Sequence, residues 1–129
     1  MASIFSKIVA GEIPCYKVAE SEDFLAFLDI FPLVKGHTLV IPKKEVDYIF
    51  DVEPAELGEM MKFAQTVAKK MDKVIPCERI GVAVIGLEVP HAHIHLVPIN
   101  GVSDIDFSQP KIKVEADEMV KIATSISEA

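Results

Sequence analysis

Arginine is almost absent from this chain. Among 129 residues there is one, Arg79, and 20 acidic side chains outnumber 13 basic ones to give a net charge of −7. Binding a nucleic-acid backbone requires clustered cations, so a long polyanion is excluded as a partner. A small phosphate-bearing ligand is not, because helix N-termini and backbone N–H groups hold phosphate without arginine. Cysteine is equally scarce: Cys15 and Cys77 lie far apart and provide neither a disulfide framework nor a ligand pair. No apolar run approaches a membrane span, and Met1 to Lys7 lacks the apolar core of a signal peptide. A cytoplasmic protein that does not engage membranes is the expectation. What remains is ordinary globular composition, half hydrophobic and about a quarter charged, suited to one domain over residues 1–129.

The pattern along the chain alternates between strand and helix signals. Ile4 to Ala10 reads as a short helix closed by Gly11. Cys15 to Glu20 and Phe24 to Asp29 read as strands joined by the turn Ser21-Glu22-Asp23, and His37 to Pro42 as a third strand. A long helix opens at Asp51 or a neighbour, with Pro54 near its first turn. Leu57, Met60, Met61, Ala64, Val67, Ala68 and Met71 form its apolar stripe, with the methionines as core filler. Gly81 to Ile85 and His91 to Ile99 give two more strands. A final helix from about Glu115 turns Met119, Ile122, Ala123 and Ile126 inward. The class is α+β, a meander of strands with one long helix and helical ends.

Three of the four histidines fall within five residues, in Pro90-His91-Ala92-His93-Ile94-His95-Leu96-Val97-Pro98. On a strand, alternate side chains share a face, so the imidazoles would stand in a row roughly 6.5–7 Å apart, with Ala92, Ile94 and Leu96 turned into the core. Three readings follow. The middle imidazole can act as a nucleophile in phosphoryl or nucleotidyl transfer, with its neighbours holding phosphate oxygens or passing protons. Two or three of the histidines can bind zinc, since His-x-His on a strand is a metal geometry. Or the row is a polar strand face.

The motif His-φ-His-φ-His-φ-φ, where φ is apolar, is matched by His91-Ala92-His93-Ile94-His95-Leu96-Val97. It resembles the histidine-triad (HIT) superfamily of nucleotide hydrolases and transferases. Three further segments are similar, in order, to its histidine-triad nucleotide-binding branch: Ser3 to Pro14, Leu25 to Pro32 and Gly36 to Lys43. The resemblance covers most of the chain. It implies an antiparallel five-stranded sheet per protomer with one long helix and a C-terminal helix, a homodimer, a purine nucleotide as substrate and no cofactor. It also implies that His93 attacks the α-phosphorus to give a nucleotidyl-histidine intermediate that water hydrolyses, as in nucleoside phosphoramidases. His91 and His95 are then expected near the phosphate oxygens, and His37 as a supporting histidine on the neighbouring strand. Asp29 corresponds to the ribose-binding carboxylate, and Phe5, Ile8, Phe27 and Ile30 to the apolar wall around the base. Two rival activities fit the same resemblance: hydrolysis of dinucleoside polyphosphates, and nucleotide binding with little turnover.

The chain departs from that family in two places. Many bacterial members hold a structural zinc partly through Cys-x-x-Cys near the start. Here the positions are Ser3 and Ser6, with Glu45 where a histidine is expected, so no metal is expected. The loop before the triad is short, Val84-Ile85-Gly86-Leu87-Glu88-Val89-Pro90, with Ile85, Leu87 and Glu88 replacing polar groups that face the phosphate and leaving group. Leu87 cannot donate a hydrogen bond, and an ionised Glu88 beside the nucleotide favours a cationic leaving group such as an amine.

Overall fold

A computed structural model describes residues 2–129. The elements are α1 (Ile4–Val9), β1 (Lys17–Glu20), β2 (Phe24–Leu28), β3 (Thr38–Pro42), α2 (Pro54–Val74), β4 (Arg79–Ala83), β5 (Ile94–Ile99) and α3 (Ala116–Ser127). Single 3-10 turns at Ile49–Asp51 and Val102–Ile105 complete them. The five strands form one antiparallel sheet in the order β1-β2-β3-β5-β4, as the resemblance implies.

Strand alternation divides the protein into two layers of core. Phe24, Ala26 and Leu28 of β2, Val40 of β3, and Ile94 and Leu96 of β5 face one side. There they pack on Met60, Ala64, Val67 and Met71 of α2 and on Met119, Ala123 and Ile126 of α3. Leu25 and Phe27 of β2 and Leu39 and Ile41 of β3 face the other side, where Phe5 of α1 covers them. His95 belongs to this second face. The short helix α1 is capped by Ser3, whose hydroxyl accepts the Ser6 N–H at 3.0 Å. Its small size leaves part of the second face uncovered, and the candidate site lies there.

Several sequence expectations shift. The last strand begins at Ile94, so His91 and His93 precede it and the three histidines do not stand on one strand face. The cause is hydrogen bonding: the His91 carbonyl accepts from the His93 ring, and the Ala92 N–H donates to Val46 O at 2.7 Å, outside the sheet. The fourth strand is Arg79–Ala83, two residues before the expected span, because Val82 and Ala83 register with Leu96 and His95. The long helix starts at Pro54, its first-turn proline, while residues near Asp51 form a separate 3-10 turn. Met61 is 48 % exposed and stands off the inner stripe, one residue around the helix from Met60.

Candidate active site

A cavity of about 340 Å³ opens on the uncovered sheet face. Phe5, Ile8, Phe27 and Leu39 form an apolar wall, Asp29 and Ile30 the rim after β2, and Glu88 the edge of the short loop. Both His93 and His95 line it. Their rings belong to an edge-to-face row: Phe5 to His93 with centroids 5.1 Å apart, His93 to His95 at 4.8 Å, and His95 to Phe107 at 4.6 Å. Such contacts fix ring planes as well as positions.

Hydrogen bonds assign a tautomer to each ring. The Leu33 N–H donates to His37 Nδ1 at 3.0 Å, so that nitrogen is an acceptor and the neutral ring carries its proton on Nε2. His37 Nε2 lies 3.0 Å from His95 Nδ1 and donates to it. The His95 proton therefore resides on Nε2, the ring nitrogen left free at the cavity. His93 is arranged the opposite way. Its Nδ1 is 2.7 Å from the His91 carbonyl, which can only accept, so Nδ1 holds the proton and Nε2 keeps its lone pair. Two adjacent imidazoles thus present one lone pair and one N–H.

Burial keeps these rings uncharged. Desolvation is the largest influence on each, pushing the pKa of His37 down to about 4, that of His95 down to about 3, and that of His93 below its ordinary value. At neutral pH the lone pair on His93 is available rather than protonated. Asp29 accepts the Phe31 N–H at 2.8 Å through Oδ1, and its Oδ2 is 3.6 Å from His37 Nε2. Burial raises its pKa, while the Phe31 N–H and the charge of Lys111 pull it back.

His91 is placed differently from its expected position near phosphate oxygens. It is fully buried and does not line the cavity. Its Nε2 donates to Pro42 O at 2.7 Å and its Nδ1 pairs with Ser3 Oγ at 2.8 Å, so both nitrogens are occupied. Its contribution is the backbone carbonyl that orients His93. His37 is also buried, behind His95, as a support. Asp29, Ile30, Phe5, Ile8, Phe27, Glu88, His93 and His95 are brought together around one cavity. Sequence reasoning missed Phe107 and Lys111, which come from the segment after β5. That segment matches no motif, and only the fold reveals its return across the site.

The three positions Ser3, Ser6 and Glu45 do meet in space, beside His91, but as a hydrogen-bonded cluster. Glu45 Oε1 accepts the Ser3 N–H at 2.7 Å and the Ser6 hydroxyl at 2.6 Å, and Ser3 Oγ bonds His91. These contacts, the Ser3 N–H first, pull the Glu45 pKa down to about 2. Two neutral hydroxyls already engaged with their neighbours do not fit a zinc site. Elsewhere, ligand atoms of Asp29, His37 and His95 lie within 4.8 Å of one another. Two of those atoms share the His37–His95 hydrogen bond, so a cation there would have to displace its proton.

Comparison with known proteins agrees with this architecture. The family model for the HIT domain matches residues 10–101. An adenosine 5′-monophosphoramidase of Schizosaccharomyces pombe is 33% identical over 133 aligned residues, covering 98% of this chain and 97% of the relative. A HIT-like protein of Bartonella henselae, described as involved in cell-cycle regulation, superposes with a TM-score of 0.85 at 31% identity over 98% of this chain and 94% of its own. A zinc-bound histidine triad family protein of Mycobacterium smegmatis superposes with a TM-score of 0.83 at 27% identity, covering 99% and 95%. With the fold, the triad and the family model in agreement, this chain belongs to the HIT domain family.

Proposed function

We propose that the protein hydrolyses purine nucleotide conjugates at the α-phosphate, with phosphoramidates as the preferred class, through a nucleotidyl intermediate on His93. The observation that carries this reading is the tautomer of His93: the 2.7 Å bond from Nδ1 to the His91 carbonyl leaves a lone pair on Nε2 at the cavity. The likeness to an adenosine 5′-monophosphoramidase supports the substrate class. In this reading Phe5, Ile8, Phe27 and Ile30 surround the base and Asp29 accepts from the ribose hydroxyls.

The chemistry balances on the residues present and solvent. The Nε2 lone pair of His93 forms a bond to phosphorus as the phosphorus–nitrogen bond to the leaving group breaks. The departing amine takes the electron pair and a proton from solvent, while the Nε2–H of His95 donates a hydrogen bond to the phosphate oxygen on which charge builds. The bond from His93 Nδ1–H to the His91 carbonyl stabilises the positive charge that develops on the attacking ring. Water then attacks the same phosphorus, returns a proton to solvent, and displaces His93 to release the nucleoside monophosphate. Leu87 is 88 % exposed and offers the phosphate no donor, which leaves His95 as the principal side-chain donor at the reacting atoms.

The test is release of AMP from an adenosine phosphoramidate by the wild type and by His93→Gln, after treatment with a chelator. Turnover that falls at least a thousandfold in the variant, with nucleotide affinity retained, is the expected outcome. Equal turnover by the two proteins would overturn the assignment.

A further inference from the structure

The stretch from Asp106 to Lys111 lacks regular secondary structure, yet it is held in a defined path. Asp106 ties Ser108 through bonds of 2.9 Å to its N–H and 2.6 Å to its hydroxyl. The Gln109 N–H bonds Asp106 O at 3.1 Å, and the Ile112 N–H bonds Pro32 O at 2.9 Å. The last of these fastens the strap to the loop that follows Asp29. Phe107 closes the aromatic row beyond His95, at the opposite end from Phe5.

Lys111 is the single lysine or arginine lining the cavity, whose carboxylates are Asp29 and Glu88. Its ammonium is positioned by two carbonyls, Phe107 O at 3.0 Å and Gln109 O at 3.4 Å, and lies 5.9 Å from the Phe107 ring centroid. An ammonium has three N–H groups, so one remains for a ligand. Among the described residues it makes no ion pair, in contrast to Lys17, Lys35, Lys43 and Lys62. Its charge is felt at Asp29, His37 and His95, while Glu88 acts on Asp29 and His93. The cation therefore stands at the His95 end of the row and the anion of Glu88 at the His93 end.

From this arrangement we infer that Lys111, presented by the Phe107–Lys111 strap, is a specificity-determining residue that favours substrates whose leaving group carries an anion near the scissile bond, a carboxylate or a further phosphate. The inference rests on the hydrolase reading above. With the base on the Phe5 wall and the α-phosphorus between His93 and His95, the leaving group emerges beside Phe107 and Lys111. A cation at this place acts on the group that departs. In a chain of net charge −7 it is also the local exception that admits a second anion.

The test compares wild type, Lys111→Met and Lys111→Arg on three adenosine conjugates: the glycine phosphoramidate, its methyl ester, and diadenosine triphosphate. In Lys111→Met, kcat/KM for the glycine conjugate, for diadenosine triphosphate or for both is expected to fall about fivefold. That matches the roughly 1 kcal/mol of a partly exposed charge pair. The methyl ester changes less than twofold, Lys111→Arg restores the preference, and added salt erodes it. Loss on the glycine conjugate alone identifies a carboxylate site, and loss on diadenosine triphosphate alone a phosphate site. A parallel fall on all three substrates, or no fall on either anionic one, overturns the inference. Binding of the same conjugates is measured in a His93→Gln background. No turnover by wild type, with the affinity ratio still dependent on Lys111, would refute the hydrolase reading and leave the anion subsite standing. An affinity ratio indifferent to Lys111 would refute the subsite.

Discussion

At the scale of the residue, chemistry here is decided by which nitrogen holds a proton. A histidine in water exchanges its proton freely between two sites. Here His93 is locked by a main-chain carbonyl, and His95 by His37, which is itself locked by the Leu33 N–H. The outcome is a ring with a free lone pair beside a ring with a free N–H, each fixed by a neutral hydrogen-bond partner. Asp29 is the residue through which substrate recognition is most simply probed. In the proposed reading Asp29 accepts from the ribose hydroxyls, so Asp29→Asn is expected to raise KM for an adenosine phosphoramidate about tenfold. The same change should leave KM for the 2′,3′-dideoxy analogue within twofold. Steady-state kinetics on the two substrates check this, and an equal rise on both would assign Asp29 a role unrelated to ribose.

At the scale of the element, the site depends on how β2, β3 and β5 end. Asp29 follows β2 directly, His37 precedes β3 directly, and His95 is the second residue of β5. The turn before β3 is fixed by Gly36, which has a φ of +90°, and whose carbonyl accepts the Thr38 hydroxyl at 2.8 Å. A Cβ there would meet Ile75 Cδ1 at 2.6 Å as well as strain the backbone. Gly36→Ala is expected to lower stability by about 1–3 kcal/mol. A urea titration measures the loss, and an unchanged midpoint would mean that the turn carries no such constraint.

Much of this element-level architecture was legible in the chain. Alternating apolar residues mark β2 and β3, and the 3.6-residue stripe marks α2 and α3. The triad spacing carries the resemblance to the HIT family, whose model matches residues 10–101. Other features were hidden for physical reasons. The strand character of Ile94–Ile99 suggested that His91 and His93 share its face, yet their nearest bonds are local and outside the sheet, which spacing alone does not disclose. Sequence spacing does not disclose that Ser3 bonds Glu45 across 42 residues and His91 across 88. Phe107 and Lys111 were invisible as site residues because a strap has no periodicity.

At the scale of the whole molecule, uncharged buried histidines make stability depend on pH. Folding lowers the pKa of His37 to about 4 and of His95 to about 3, against about 6.5 for an exposed ring. Between those limits the unfolded chain binds protons that the folded chain does not. Stability from this source is complete above about pH 6.5 and is lost as the pH falls toward 3. Asp29, with a raised pKa, opposes this trend near the carboxylate range, so the comparison is clearest above pH 5. Unfolding free energy from urea titrations is expected to drop by about 4 kcal/mol between pH 7.5 and 5.0, about 2 kcal/mol for each of the two rings. A rise, or no change, would mean that the rings are not held neutral.

The central claim is the covalent role of His93. The most direct measurement is mass spectrometry of the wild-type protein quenched during turnover of an adenosine phosphoramidate. The account predicts an added adenylyl group on the peptide containing His93, stable in alkali and lost at acid pH, where a phosphorus–nitrogen bond hydrolyses. AMP production with no adduct on that peptide, together with undiminished turnover by His93→Gln, would contradict it.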